Sequence, residues 1–305
     1  AASKTEVTLY ANLRMVLKMS RLIGLSSVLV VEQGEGSYIV HKFTPLTIIL
    51  ITLRLIICVQ SALNTVLHKF DVDEFLALCG NVSLQVIYVY TEKTFVRVFF
   101  TLHQNKSAHF LLREKTIFWV LVTTFTCLPL ISCGYQFIFQ NSFDLHLITR
   151  SVCILYHKLA YVIVIVEFLI CAQGLKCQFL HLAKRISQFG NETMTERAIE
   201  INRSEYERLI VAAEDMSSSN GFRLLIPIGL IPIELLMLFY FVVMKNKRRH
   251  SISTYVILVT YLLIIQTIAD AGSQVKNAVS NTYKACENRL MWNLFFPLLI
   301  SYFSY

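Results

Sequence analysis

The chain has 305 residues, of which 55% are hydrophobic and only 16% are charged. Soluble domains usually carry about 25% charged residues, so this composition excludes an ordinary soluble globular protein and indicates a membrane protein. The net charge of +8 is therefore not a nucleic-acid signal, because membrane proteins concentrate basic residues in their cytoplasmic loops.

Six long apolar stretches follow one another along the chain, separated by polar or basic segments. They are Thr44–Leu67, Phe75–Tyr90, Thr116–Phe139, Val152–Phe179, Phe222–Met244 and Ile252–Ala269. A bilayer core of roughly 30 Å needs about 20 apolar residues per helix, so four stretches are long enough and the second and sixth are slightly short. Lipid offers the backbone no hydrogen-bond partners, which favours helices over strands. The predicted fold class is an all-α, polytopic membrane bundle with six transmembrane helices.

The apolar stretches divide the chain into three regions. Residues 1–43 form a predicted cytoplasmic N-terminal segment, residues 44–270 the transmembrane bundle, and residues 271–305 a cytoplasmic helix followed by a truncated apolar segment. Cytoplasmic helical extensions of the bundle are expected around residues 180–220. Gly190 is a predicted helix end, and Ser217–Gly221 is predicted to interrupt the helix before the fifth span.

Basic residues are distributed unequally between the two sides of this predicted bundle. Eighteen Lys and Arg residues fall on the side of the N terminus and six on the other, four of those six in the loop 245–250. Because cytoplasmic loops are enriched in Lys and Arg, the N terminus is predicted to be cytoplasmic. The expected location is the plasma membrane, with several passes.

No catalytic or metal-binding pattern is present in the sequence. There is no G-x-S-x-G, no H-E-x-x-H, no Gly-rich phosphate loop and no usefully spaced carboxylate pair, so we do not predict an enzyme or a cofactor. The eight cysteines have no metal-ligand spacing. Cys133 and Cys153 flank the predicted outer loop 140–151 and could form a disulfide; burial as small hydrophobic side chains is the alternative.

Four ionisable residues lie well inside predicted spans: Arg54, Lys158, Glu167 and Glu234. Such residues are costly in lipid, and they mark either function or polar helix packing. Lys158 and Glu167 are nine residues apart, which at about 100° per residue places them on opposite faces of one helix. They therefore cannot neutralise each other. Arg54 is expected to pair with Glu167 or Glu234 in a structural role.

Polar side chains also line single faces of three predicted helices. In the second span Asn81, Gln85, Tyr88 and Glu92 follow i, i+4, i+7 and i+11, so they share one face, which must contact protein or water. His157 and Tyr161 share a face of the fourth span in the same way, beside Tyr156 and Lys158. In the sixth span Tyr255, Gln266 and Asp270 lie within about 60° of one another.

These polar faces predict an outer vestibule for a small polar ligand. The expected ligand-binding residues are Asn81, Gln85, Tyr88, Tyr156, His157, Tyr161 and Tyr255. The residues assigned to gating or polar packing are Arg54, Glu167, Glu234, Gln266 and Asp270. The alternative for both sets is polar contact between helices without a ligand.

Several segments follow the layout of a known receptor family. They are the basic and apolar run Arg14–Leu25, the long fourth helix through Leu155–Leu159 to Leu182–Arg185, the charged helix before the fifth span, and Ala269–Gln274 after the sixth. This layout resembles that of insect gustatory receptors over nearly the whole chain. Members of that family are similar to insect odorant receptors and form tetrameric ligand-gated cation channels whose seventh helix lines the pore.

The chain departs from the family's signature, in which Thr-Tyr, five apolar residues and Gln-Phe lie in a seventh helix. Here Thr260 and Tyr261 are followed by only four apolar residues before Gln266, and they lie in the sixth span. The last apolar piece, Leu290–Tyr305, lacks the signature. We therefore expect the seventh helix to be incomplete or missing and the pore to be incomplete in this sequence.

The resemblance implies a chemosensory receptor that binds a small tastant in an outer-half pocket and gates a cation current. It further implies contact with membrane lipid, assembly as a homo- or heterotetramer with related subunits, and no nucleic-acid partner. A G-protein-coupled receptor and a small-molecule transporter are the alternatives. The first would have an outside N terminus and an Asp-Arg-Tyr or Asn-Pro-x-x-Tyr element, and the second often has internal repeats or paired broken helices.

Overall fold

The computed structural model describes residues 9–32, 38–42, 44–67, 72–103, 145–188, 196–244 and 252–287. The third apolar stretch, Thr116–Phe139, and the C-terminal piece, Leu290–Tyr305, lie outside these residues. The third span and the state of the seventh helix therefore stay predictions.

The described residues form six helices and one hairpin. The helices are α1 (Leu9–Leu22), α2 (Pro45–Leu67), α3 (Val72–His103), α4 (Leu145–Gln188), α5 (Glu196–Met244) and α6 (Ile252–Glu287). The hairpin joins β1 (Val28–Glu32) to β2 (Tyr38–Lys42) in antiparallel register, with Val30 opposite Val40. The helical class is confirmed for the residues that the structure describes, apart from the hairpin. The hairpin was not predicted, although β-branched residues on both sides of a Gly-containing segment are its usual sequence signal.

Three stretches of the described chain are long and apolar enough to cross a membrane, judged by length and composition alone. They are Pro45–Leu63 of α2, Ile148–Gln188 of α4 and Glu200–Met237 of α5. The predicted membrane character is confirmed in this coarser form. The count of six spans and the side of the N terminus stay predictions.

The surface of the bundle is apolar, and its interior contains charged groups. Large aliphatic side chains point outward from three helices, among them Ile49 of α2, Val86 of α3 and Leu236 of α5, which is 70% exposed. Arg54 and Glu167, in contrast, are fully buried. A soluble protein has the opposite arrangement. Lipid as the surrounding solvent favours this one, because charged groups inside a membrane turn toward the protein.

Helix α4 is the central element of the bundle. It packs against each of the other five described helices, and every residue from Ala160 to Val166 is buried. A helix that is apolar on all sides is expected in the middle of a bundle. The residues that α4 presents to its neighbours therefore determine where polar networks form.

Helices α4 and α5 are much longer than a membrane is thick. They contain 44 and 49 residues, which correspond to about 66 Å and about 74 Å, against roughly 30 Å of hydrocarbon. The predicted extensions around residues 180–220 are thus continuous with the spans. Contacts that tie the extended parts together include Arg97 with Asp215 (3.1 Å), Lys176 with Gln274 (2.8 Å), Gln178 with the Leu102 carbonyl (2.9 Å) and Thr282 with the Phe179 carbonyl (3.0 Å).

The predicted interruption at Ser217–Gly221 is wrong, because α5 runs through this segment without a break. The hydroxyls of Ser218 and Ser219 donate to the Asp215 carbonyl at 3.0 and 2.7 Å. A serine inside a helix satisfies its side chain in this way, by bonding the carbonyl of the preceding turn. The predicted end near Gly190 agrees with the structure, since α4 ends at Gln188.

Candidate functional site

Three networks of buried polar side chains lie inside the bundle. We name them after one member each: the Glu234 network, the Glu167 network and the Arg54 network. Each joins elements that are far apart in the sequence. Together they contain six of the twelve residues singled out from the sequence, namely Arg54, Asn81, Tyr88, His157, Glu167 and Glu234.

The Glu234 network joins α4, α5 and α6. Lys158 and Tyr261 both donate hydrogen bonds to Oε2 of Glu234, and His157 Nε2 lies 3.2 Å from Oε1. Lys158 Nζ also donates to the Tyr261 hydroxyl at 2.5 Å. The glutamate therefore has a partner on both oxygens, and its charge is balanced by the lysine.

His157 is enclosed on all sides, and glycine on the neighbouring helix makes room for it. A Cβ atom placed on Gly80 of α3 would lie only 2.2 Å from Cε1 of His157. The other side of the ring faces Tyr161, with 4.1 Å between the ring centroids. Leu230 of α5 also lies near Gly80. Only glycine at position 80 allows the imidazole to sit between the helices.

Two polar atoms of this region have no hydrogen-bond partner within the described structure. They are Nδ1 of His157 and the hydroxyl oxygen of Tyr161, and both are buried. Buried polar groups in proteins are nearly always hydrogen-bonded, so each such exception calls for a partner. A ligand that brings a donor and an acceptor would satisfy both atoms, so they mark a candidate binding position in the described chain. A Cβ placed on Gly80 would lie 2.5 Å from Nδ1, so a ligand reaches this atom only when α3 and α4 separate.

The Glu167 network joins α3, α4 and α5. Arg223 NH1 lies 2.8 Å from Glu167 Oε2, and the hydroxyl of Tyr88 donates to the same oxygen at 2.8 Å. Arg223 Nε donates to Thr91 Oγ1 at 2.8 Å. The guanidinium carbon lies 4.0 Å from the centroid of the Tyr88 ring and 4.3 Å from that of Phe95. Ion pairing and cation–π contacts with both rings make this a packing element. The second carboxylate oxygen of Glu167, Oε1, is buried and has no hydrogen-bond partner in the described structure.

The residues singled out from the sequence did not include Arg223, although it is the second residue of the fifth apolar stretch. A helical face analysis would have found it. Arg223 and Glu234 are eleven residues apart, which is about three full turns, so they lie on one face of α5. Both therefore face α4. Tyr261 was likewise noted only as part of a signature-like sequence and not as a site residue.

The Arg54 network joins α2, α3, α4 and the loop after α1. Arg54 NH2 donates to Asn81 Oδ1 at 2.8 Å, and NH1 donates to the Ile23 carbonyl at 3.4 Å. Asn81 Nδ2 in turn donates to the Cys153 carbonyl at 3.1 Å. The predicted pairing of Arg54 with Glu167 or Glu234 is wrong. Its hydrogen-bond partners in the described chain are neutral groups. The carboxylates of Glu167 and Glu234 are instead bound by Arg223 and Lys158.

The loop that follows α1 lies inside the bundle, against the polar face of α3. Gln85 donates to the Leu25 carbonyl at 3.4 Å. Glu92 accepts bonds from Ser26 Oγ at 3.2 Å, and from the Ser27 amide and hydroxyl at 2.8 and 2.5 Å. Buried irregular backbone needs hydrogen-bond partners, and these side chains provide some of them.

The polar face predicted on α3 is therefore real, but its contacts are with the chain itself. Asn81, Gln85, Tyr88 and Glu92 are all buried. Asn81, Tyr88 and Gln85 bond to groups of α2, α4 and the loop after α1. Whether any of them also binds a ligand stays a prediction.

The remaining predicted residues are distributed as follows. His157 and Tyr161 come together as expected, and Tyr156 is half-buried against the core. The side chain of Tyr255 lies outside the described structure. Gln266 donates to Asp270 at 2.9 Å, and both are exposed on the outer surface of α6. These two residues are thus placed for contact with a neighbouring molecule or solvent rather than for packing inside this chain.

Cysteines and metal ligands add no further site within the described residues. Cys58, Cys79, Cys153, Cys171 and Cys177 are free thiols. The possible disulfide between Cys133 and Cys153 is therefore wrong at Cys153, and Cys133 lies outside the described residues. In the described ranges, no group of three His, Cys, Asp or Glu side chains could hold a metal ion.

No protein-family model matches the chain, and no curated protein matches it. Its functional interpretation therefore depends on the sequence patterns and on the geometry of the three networks.

Proposed function

We propose that this chain is a plasma-membrane chemoreceptor subunit of the gustatory-receptor type, with six spans and a cytoplasmic N terminus. In this proposal it binds a small polar tastant and gates a cation current. The apolar exterior, the charged interior and the unequal distribution of Lys and Arg support a membrane receptor. The family assignment is supported by the layout of the sequence.

The observation that carries the binding site is the pair of unpartnered buried atoms at His157 Nδ1 and Tyr161 OH. In this proposal the tastant binds next to these atoms when α3 moves away from α4, because Gly80 of α3 closes the space at Nδ1 in the present structure. The imidazole nitrogen accepts or donates one hydrogen bond, according to its tautomer, and the phenol does either. The nearby charges of Lys158 and Glu234 already balance each other, so a neutral polar ligand fits this position best.

Gating in this proposal depends on the Glu234 network, because it connects three helices. His157 contacts both the candidate ligand position and Glu234 of α5, which is in turn bonded to Tyr261 of α6. A ligand shifts a conformational equilibrium only by its different affinity for the two states. A tastant that binds His157 more tightly when α5 and α6 have moved would therefore favour the open channel.

Spans two, three and six complete the proposed membrane bundle, and span two is helix α3. Helix α3 is long enough at 32 residues, and its outward face is apolar at Val82, Val86 and Val89, while its polar face turns inward. That division is what a membrane helix in contact with both lipid and protein requires. The assembly is proposed to be a homo- or heterotetramer with related subunits, held together through the cytoplasmic extensions of α4 to α6.

The proposal is tested by expressing the full coding sequence in cells, screening tastants by patch clamp, and comparing two phenol-to-phenyl variants. Tyr161→Phe removes a hydroxyl at the candidate position, and Tyr90→Phe removes one from a side chain that is 80% exposed. We expect Tyr161→Phe to shift the half-maximal concentration about tenfold, the equivalent of one lost hydrogen bond of about 1.4 kcal/mol. Tyr90→Phe should leave it unchanged.

Surface expression must be equal for both variants. Identical dose–response curves for Tyr161→Phe and wild type would place the ligand elsewhere. A response that requires a G protein, or uptake of labelled ligand without current, would favour the receptor or transporter alternatives.

A further inference from the structure

The N-terminal helix α1 is basic and is held against the start of α2. Its fourteen residues include Arg14, Lys18 and Arg21 and no acidic residue. Val16, Leu17 and Ser20 are buried against the bundle, whereas Lys18 and Leu22 are exposed and Arg21 is partly exposed. The helix therefore turns a cationic side outward while its apolar side packs against the bundle.

The guanidinium of Arg21 is fixed in position by two hydroxyl groups. Nε donates to Thr47 Oγ1 at 2.7 Å, and NH2 donates to Thr44 Oγ1. These bonds use two of the five N–H donors of the side chain. Both partners are neutral, and no carboxylate of the described residues pairs with Arg21. Lys18 lies one turn earlier, at i−3, and so reaches the same side of α1.

The position of Arg21 along α2 sets its level in the membrane. Thr44 and Thr47 flank Pro45, the first residue of α2, where the polar N-terminal segment meets the first apolar stretch. In the proposed membrane placement this is the level of the lipid headgroups. From that level a row of exposed apolar side chains runs along the outside of α2, through Leu46, Ile49 and Leu53.

We propose that Lys18 and Arg21 bind the anionic headgroup of a membrane phospholipid whose acyl chains lie along this outer face of α2. The charge matches, because two cations face a phosphate-bearing headgroup and Arg presents parallel donors to phosphate oxygens. The apolar face continues from the same place, as the acyl chains require. The inference depends on the proposed membrane placement and is independent of the tastant and of channel activity.

The experiment titrates the detergent-purified full-length protein with fluorescent phosphatidylserine and follows anisotropy. The double variant Lys18→Gln with Arg21→Gln should bind about thirtyfold more weakly, since each basic residue near a membrane surface contributes about fivefold. Lys18→Gln alone is an exposed change that leaves the Arg21 contacts in place, and it should weaken binding about fivefold. The matched control, Lys276→Gln with Lys284→Gln, removes two exposed charges from the far end of α6 and should bind as wild type does.

Further arms separate the proposal from its competitors. Fluorescent phosphatidylcholine should bind more weakly than phosphatidylserine, and free phosphoserine should fail to compete, because it lacks acyl chains. Equal loss in the α6 control, no loss in Lys18→Gln, or full competition by phosphoserine would each overturn the lipid site. Resistance of the protein to extraction from membranes by alkaline carbonate is measured in parallel. Loss of that resistance would show that the proposed membrane placement is wrong, separately from the lipid site.

Discussion

Glu167 and Arg223 form an ion pair that is closed off from solvent, with 2.8 Å between Oε2 and NH1 and side-chain exposures of 0% and 2%. Lys158 and Glu234 form a second pair between the same two helices with the charges exchanged. In the first pair α4 provides the anion, and in the second it provides the cation. A shift of one helical turn, about 5.4 Å, would separate both pairs, so together they define the register of α4 against α5.

Glu167→Gln should strongly destabilise the protein, because it leaves the Arg223 charge buried without a counterion. Loss of one partner of a buried pair costs about 3–5 kcal/mol. Arg97→Gln is the matched control: it breaks an ion pair with Asp215 in which the arginine side chain is 57% exposed, and such pairs contribute about 0–1 kcal/mol. The measurement is thermal unfolding in detergent.

A second variant distinguishes charge from packing at this pair. Glu167→Met combined with Arg223→Met removes both charges and should be more stable than Glu167→Gln alone, since neither partner is left uncompensated. If the double variant is the less stable of the two, shape and the Tyr88 contacts outweigh the electrostatics.

Gly80→Ala should displace His157 and thereby disturb the candidate ligand position. The added Cβ would lie 2.2 Å from Cε1 of His157, and the enclosed ring has little room to move. We expect a lower melting temperature and reduced tastant sensitivity. Combining Gly80→Ala with His157→Ala should recover part of the stability, because the clashing ring is gone, and a double-mutant cycle measures this coupling. Additive effects would mean that the two positions do not interact.

Gly24→Ala and Gly272→Ala should have opposite effects on stability. Gly24 has a φ of 69° and ends α1, and an added Cβ would lie 2.7 Å from the Leu50 carbonyl oxygen. A left-handed conformation alone costs about 1–2 kcal/mol for other residues. Gly272 is helical, and beyond its own stretch of helix no atom of the described residues lies within 4 Å of an added Cβ, so alanine there should stabilise by about 0.5–1 kcal/mol. Unfolding temperatures that fall in both variants would contradict this assignment.

The glycosylation sequons at Asn105, Asn191 and Asn202 should stay unmodified, because the proposed orientation places all three on the cytoplasmic side. The measurement is the electrophoretic mobility of the protein from secretory-competent cells before and after glycosidase. A shift that Asn191→Gln, or the equivalent change at another of the three positions, abolishes would reverse the orientation. Such a result would also contradict the family proposal.

Patterns local to one helix were readable in the sequence. The apolar stretches predicted α2, α4 and parts of three other helices, because backbone hydrogen bonds within one segment and an apolar surface depend only on nearby residues. The inward face of α3 followed from the spacing of Asn81, Gln85 and Tyr88, since 3.6 residues per turn fixes which side chains share a face. The opposite faces predicted for Lys158 and Glu167 did not give them different neighbours, since both pair with residues of α5.

Which groups meet across the bundle was decided only by the tertiary structure. Nothing in the spacing says that α2 borders the loop after α1, so Arg54 was assigned to a carboxylate when its hydrogen-bond partners are Asn81 and a backbone carbonyl. The partner of Glu167 depends in the same way on the register of α4 against α5. The helical period determines the direction in which a side chain leaves its own helix. The partner that it meets depends on which helices are neighbours and on how they are aligned along their axes, and both arise from packing over the whole chain.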